Sequence, residues 1–76
     1  AQFEPNGKVQ QTLGISEREL AVLHLLAAGQ SNKEIAGRLS VSPNTVKTHV
    51  SRLYEKLEVN RRTEAILMAR ELGMIR

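Results

Sequence analysis

From Ile15 onward the apolar positions fall in short blocks with helical spacing, and each block is bracketed by residues that start or stop helices. Ser16–Glu19 reads SERE, a capping box: the Ser hydroxyl accepts from the third backbone N–H, and the Glu carboxylate returns to the cap. A first helix then runs through LAVLHLLAA to Gly29, a residue suited to a left-handed C-terminal cap. Leu20, Val22, Leu23, Leu25 and Leu26 cover more than one face, so this helix is expected to be the most buried, with His24 packed at the core edge. A second box, SNKE at Ser31–Glu34, opens a short helix carrying Ile35, Ala36 and Leu39. Ser42 caps a third helix and Pro43 occupies its first turn, where a missing N–H costs nothing. There Val46, Val50, Leu53 and Leu57 recur at i, i+4, i+7 and i+11, a clean inward stripe. Asn60 is the expected cap of a fourth helix, which carries Ala65, Ile66, Ala69 and Leu72 and closes at Gly73. The pattern predicts an all-α, compact four-helix domain over residues 15–76. Residues 1–14 hold a Pro-Asn-Gly turn signal and no sustained period. They read equally as a linker or flexible N-terminal arm from a larger protein and as a frayed terminus.

Composition narrows the classes. A chain of 76 residues is one small domain, and 41% apolar with only 3% aromatic residues requires an aliphatic core. Without cysteine there is no disulfide framework and no thiolate metal site, and His24 and His49 lack the acidic cluster a metal would need. The apolar runs are too short for a membrane span and the N-terminus lacks a signal-peptide pattern, so the expected location is cytoplasmic, with no membrane partner. No phosphate-cradling glycine loop, paired carboxylates or nucleophile–base set is present, so neither an enzyme nor a cofactor is expected.

The net charge of +3 is a modest bias toward polyanions, but its distribution is more informative. Lys33, Arg38, Lys47, Arg52, Lys56, Arg61 and Arg62 crowd the middle of the chain against only Glu34, Glu55 and Glu58, and the remaining acidic residues flank that stretch. Helices two and three are joined closely enough for a helix-turn-helix, with Ala36 and Val41 small enough near the bend for close crossing. At about 100° per residue, the apolar stripe of helix three centres about 10° from Val46. Asn44, Thr48, Ser51 and Glu55 then point away from the core, with Lys47 and Arg52 on the shoulders. These are groups that can donate to and accept from base edges in a major groove. Glu55 lies where the helix would leave that groove. A solvated face on a bundle helix fits the same surface, as does a protein-interaction module, and on these residues alone all three readings stand.

The blocks SERELAVL, AAGQSNKEIAGRL, S-x-x-TVKTHV, KL-x-V and RTEA, at these spacings, closely resemble the LuxR/FixJ-type helix-turn-helix DNA-binding domain over residues 13–75. The resemblance implies the output domain of a bacterial transcription regulator, with the third helix as recognition helix in the major groove of double-stranded DNA. A sigma-factor promoter-binding domain shares the helix pair but fits the capping-box blocks less well. Position by position, the resemblance implies base contacts at Lys47, Thr48, Ser51 and Arg52. It implies phosphate contacts at Ser31, Asn32, Lys33, Asn44, Thr45, His49 and Lys56. The paired arginines suggest one more phosphate contact, at Arg62. It further implies a homodimer through the fourth helix, using Thr63, Leu67, Met68 and Arg70, weak without DNA and formed on paired half-sites. RNA polymerase is a further candidate partner, and an upstream regulatory domain (receiver, small-ligand or nucleotide-binding sensor) is expected. Two departures stand out: Glu58 occupies a position that is often Gly in such domains, and Arg61 one that is often Asn or Ser.

Overall fold

The computed structural model describes residues 11–75, and the expected arm at residues 1–10 lies outside them. Four helices follow in order: α1 (Glu17–Ala27), α2 (Asn32–Leu39), α3 (Pro43–Leu57) and α4 (Arg62–Glu71). Residues 11–13 add a short helical turn ahead of Gly14, and Leu13 packs against the core. The last residues assigned to the arm therefore share the packing of the helical domain.

Both capping boxes form. Glu19 N–H donates to Ser16 Oγ at 3.1 Å while Ser16 N–H donates to Glu19 Oε1 at 2.9 Å. The Ser31–Glu34 pair repeats this at 3.2 and 3.0 Å. In α3, Thr45 N–H donates to Ser42 Oγ at 3.2 Å, with Pro43 at the first helical position. Each cap satisfies amides that the helix ladder cannot. The start of α4 differs from expectation. Its N-cap is Arg61, one residue after Asn60, and no side chain caps it.

All four helices end in one motif, a left-handed residue whose successor's N–H reaches back across the last turn. After α1, Gln30 N–H donates to Leu25 O, and after α3, Val59 N–H donates to Tyr54 O. Glycine fills the left-handed position after α1 and α4, at Gly29 and Gly73. Ser40 and Glu58 fill it after α2 and α3, both at φ 57°. A side chain there carries a cost of about 1 kcal/mol. The departure at Glu58 thus keeps the geometry and accepts strain.

The core is aliphatic, as composition requires. Val22, Leu23 and Leu26 of α1, Ile35 of α2, Val46 and Leu53 of α3, and Ala65 and Ala69 of α4 are buried, closed at one end by Met74 and Ile75. The long helix α3 packs against α1, α2 and α4, so its orientation is fixed by the rest of the domain. Val50 on its stripe is half-buried. His24 is exposed, not packed at the core edge as expected, because its neighbours Leu23 and Leu25 take the inward sides of α1.

Candidate nucleic-acid interface

The interface is built from the α2–turn–α3 unit. Residues 40–42 make the turn, and the left-handed Ser40 reverses the chain so that Ser42 begins α3 at once. With Val46, Leu53 and Leu57 anchored in the core, the opposite side of α3 faces solvent. Asn44, Lys47, Thr48, Ser51, Arg52 and Glu55 line a single open depression there. Glu55, expected at the margin, belongs to the same surface. Lys47 and Arg52 are exposed and form no ion pair with any described residue. The hydroxyl of the exposed Thr48 donates to Asn44 O at 3.1 Å, which commits its one hydrogen to the helix backbone. Asn44 and Ser51 keep their polar groups exposed.

Around this surface lie the expected phosphate positions. Ser31, Asn32 and Lys33 are exposed in the first turn of α2, where amides lacking ladder partners and the helix dipole favour an anion. The Ser31 hydroxyl is occupied by its cap, and Thr45 Oγ1 lies 2.9 Å from Ser42 Oγ within the α3 cap. The Glu34 carboxyl is held below its ordinary value of 4.5, chiefly by the Ser31 backbone N–H and then its hydroxyl. His49 is half-buried and its Nδ1 is enclosed without a hydrogen-bond partner.

Two expected phosphate residues make hydrogen bonds within the fold. Lys56 Nζ donates to Glu19 Oε1 at 2.6 Å and to Gly14 O at 2.7 Å, clasping the end of α3 to the start of α1. Its partner Glu19 is 2% exposed, so the half-buried ammonium neutralises a buried charge. Burial pushes the Glu19 carboxyl up, but the bonds from Lys56 and from Ser16 outweigh it and hold the group below 4.5. Arg62 is also half-buried: its Nη2 donates at 2.8 Å both to Leu26 O near the end of α1 and to Gln30 O in the turn that follows. Both roles left a trace in the sequence. Glu19 precedes Val22, Leu23 and Leu26 at helical spacing, and Arg62 precedes Ala65 and Ala69, so each sits on a buried face where a charge must find a partner.

On α4, Thr63, Leu67 and Arg70 are exposed and Met68 is half-buried. Leu67, 58% exposed, is the large apolar side chain most open to solvent among the described residues. Among those residues no His, Cys, Asp or Glu group could hold a metal ion, and no helix is long and apolar enough to cross a membrane.

An all-helical domain with this turn, and a polar face with two unpaired cations on the second helix of the pair, has the architecture of a helix-turn-helix domain. The description of bacterial regulatory proteins of the luxR family matches residues 13–69, and the chain belongs to that family. It is 46% identical over 61 residues to the response regulator protein VraR of Staphylococcus aureus, covering 80% of this chain and 29% of that protein. It is 45% identical over 62 residues to the HTH-type transcriptional regulator MalT of Serratia proteamaculans, covering 82% of this chain and 7% of that protein. Its fold matches the structure of the transcription factor GerE with a TM-score of 0.77 at 35% identity, over 82% of this chain and 92% of that one. The chain spans less than a third of the length of these two regulators.

Proposed function

We propose that the domain binds double-stranded DNA sequence-specifically, as the output domain of a cytoplasmic transcription regulator, with α3 in the major groove. The observation that carries this reading is the outward face of α3: Lys47, Thr48, Ser51 and Arg52 line one exposed surface, and none of their charges is paired with a described residue. Lys47 and Arg52 suit guanine acceptors, and Thr48 and Ser51 suit methyl contact and short or water-bridged hydrogen bonds. Ser31, Asn32, Lys33, Asn44, Thr45 and His49 ring this face and serve the backbone, with Lys33 the principal charge. Lys56 and Arg62 are outside this set because their groups hold the fold together.

The same reading gives a weak two-fold contact between copies through Thr63, Leu67, Met68 and Arg70 on paired half-sites. A patch with one prominent apolar side chain is too small to hold a free dimer. An upstream regulatory domain and contact with RNA polymerase complete the proposal for the whole protein.

Binding to a site selected from a random duplex pool, followed by fluorescence anisotropy over a salt series, tests the proposal. About four to six phosphate contacts per copy give log K falling with log salt at roughly −0.9 per contact. Sedimentation without DNA is expected to give a monomer at micromolar concentration. Salt-insensitive binding, or no binding to any duplex, favours a protein partner for α3 instead.

A further inference from the structure

Arg62 joins three parts of the molecule that are distant in sequence. It is the first residue of α4, whose N-cap residue supplies no side-chain hydrogen bond. One guanidinium nitrogen, Nη2, donates at 2.8 Å both to Leu26 O, near the end of α1, and to Gln30 O, on the far side of the α1–α2 turn. Leu26 O, past the end of the ladder, also accepts from Gly29 N–H at 3.0 Å, so the guanidinium is an added charged donor to it, and Gln30 is the residue immediately before Ser31. The turn is thus held from both sides by a charged donor, the stronger class of hydrogen bond. From Gln30 the chain enters the Ser31 capping box, and Lys33 stands in the first turn beyond it.

We propose that Arg62 is a positioning residue for DNA binding: it fixes the α1–α2 turn so that the first turn of α2, with Asn32 and Lys33, meets the DNA backbone in register. The inference rests on the DNA-binding reading above. Because Arg62 also begins α4, it makes a direct mechanical connection from the proposed dimer helix to a phosphate-contacting turn. Its charge acts on the turn's carbonyls and not on the phosphates.

The test compares the unaltered chain with Arg62→Met, which keeps the stem and removes the donors, and with Arg62→Lys, which keeps one charged head. Lys33→Ala and the Lys33→Ala/Arg62→Met pair complete a cycle. Amide hydrogen exchange is read at Gly29, Gln30, Glu34 and Ile35, all hydrogen-bonded within or beside the turn, and at Leu53 in the core of α3. Duplex affinity is read over a salt series. In Arg62→Met the turn amides exchange at least about tenfold faster relative to Leu53, in line with loss of a charge-assisted bond. The salt slope falls by about 0.9, one phosphate contact, and most of this loss is absent in the Lys33→Ala background. Arg62→Lys lies between. If Arg62→Met does not fold, Arg62→Lys alone must still show faster turn exchange and a lower slope.

Turn exchange unchanged alongside a lower slope means that Arg62 touches phosphate itself, which overturns the proposal. So do fully additive losses in the cycle, or acceleration that is uniform from the turn to Leu53. Absence of duplex binding by the unaltered chain removes the DNA-binding reading itself. That failure is distinct from an Arg62 that does not hold the turn, which exchange reports without any DNA.

Discussion

Lys47 and Lys56 belong to the same helix and carry the same charge, yet they serve different ends of the molecule. Lys47 stands on the outward face of α3, exposed and without an ionic partner among the described residues. Lys56, near the other end, closes a clasp with a carboxylate that is almost wholly enclosed. What separates them is the surface opposite: open solvent for the first, and the buried Glu19 for the second. The capping boxes divide in the same way. Ser16–Glu19 is tied into tertiary structure through Lys56, whereas Ser31–Glu34 stays at the surface beside the proposed phosphate site. On the proposed reading, the basic residues that meet DNA are those whose charge the fold does not already pair.

Removing each lysine breaks this comparison most directly. Lys56→Met leaves Glu19 buried beside a neutral side chain, and full loss of a buried partner costs 3–5 kcal/mol. The Lys56 side chain is 31% exposed, so a smaller loss of about 2–3 kcal/mol is expected by urea unfolding. Lys47→Ala leaves stability within about 0.5 kcal/mol in the same experiment. Its effect falls on recognition: about 1–3 kcal/mol of preference between the selected site and a scrambled one is lost.

Acidification sharpens the contrast without mutation. The folded-state carboxyl of Glu19 lies below 4.5, so its pairing contributes in full above the unfolded-chain value and is lost as pH falls through the folded value. Glu34 is shifted in the same direction by its own cap. Unfolding measured from pH 7 to pH 2 should show stability falling below about pH 4.5, with a shallower fall in Lys56→Met. A fall equally steep in that variant would remove Glu19 from the account.

The smallest expected effect concerns the strained helix end. Glu58→Gly relieves the left-handed conformation at φ 57° while adding freedom to the unfolded chain, for a net gain of about 0.5–1 kcal/mol in thermal or urea unfolding. DNA affinity should not change, since Glu58 lies beyond the end of α3.

Most of the helical layout could be read in the sequence because its signals are local. Two capping boxes, Pro43 after Ser42, and the glycines at 29 and 73 mark boundaries within a few residues of the backbone groups they satisfy. The outward face of α3 was legible for a similar reason, since one stripe of apolar residues fixes every other direction on a helix. Contacts that join residues far apart along the chain were not legible. Lys56 meets Glu19 across 37 positions and Arg62 meets Leu26 across 36, and no local pattern pairs them. The start of α4 was misplaced for the same reason: Asn60 resembles a cap, but the helix begins where Arg62 can reach the end of α1. In both cases a charge on an apolar face was the available clue.

The central claim is that the outward face of α3 reads bases while the first turn of α2 holds phosphates. Anisotropy titrations of Lys47→Ala and Lys33→Ala, each against the selected duplex and a scrambled one, test it most directly. Lys33→Ala should weaken both duplexes by the same factor, and Lys47→Ala should erode the difference between them. Equal losses on both duplexes for both variants would contradict the claim.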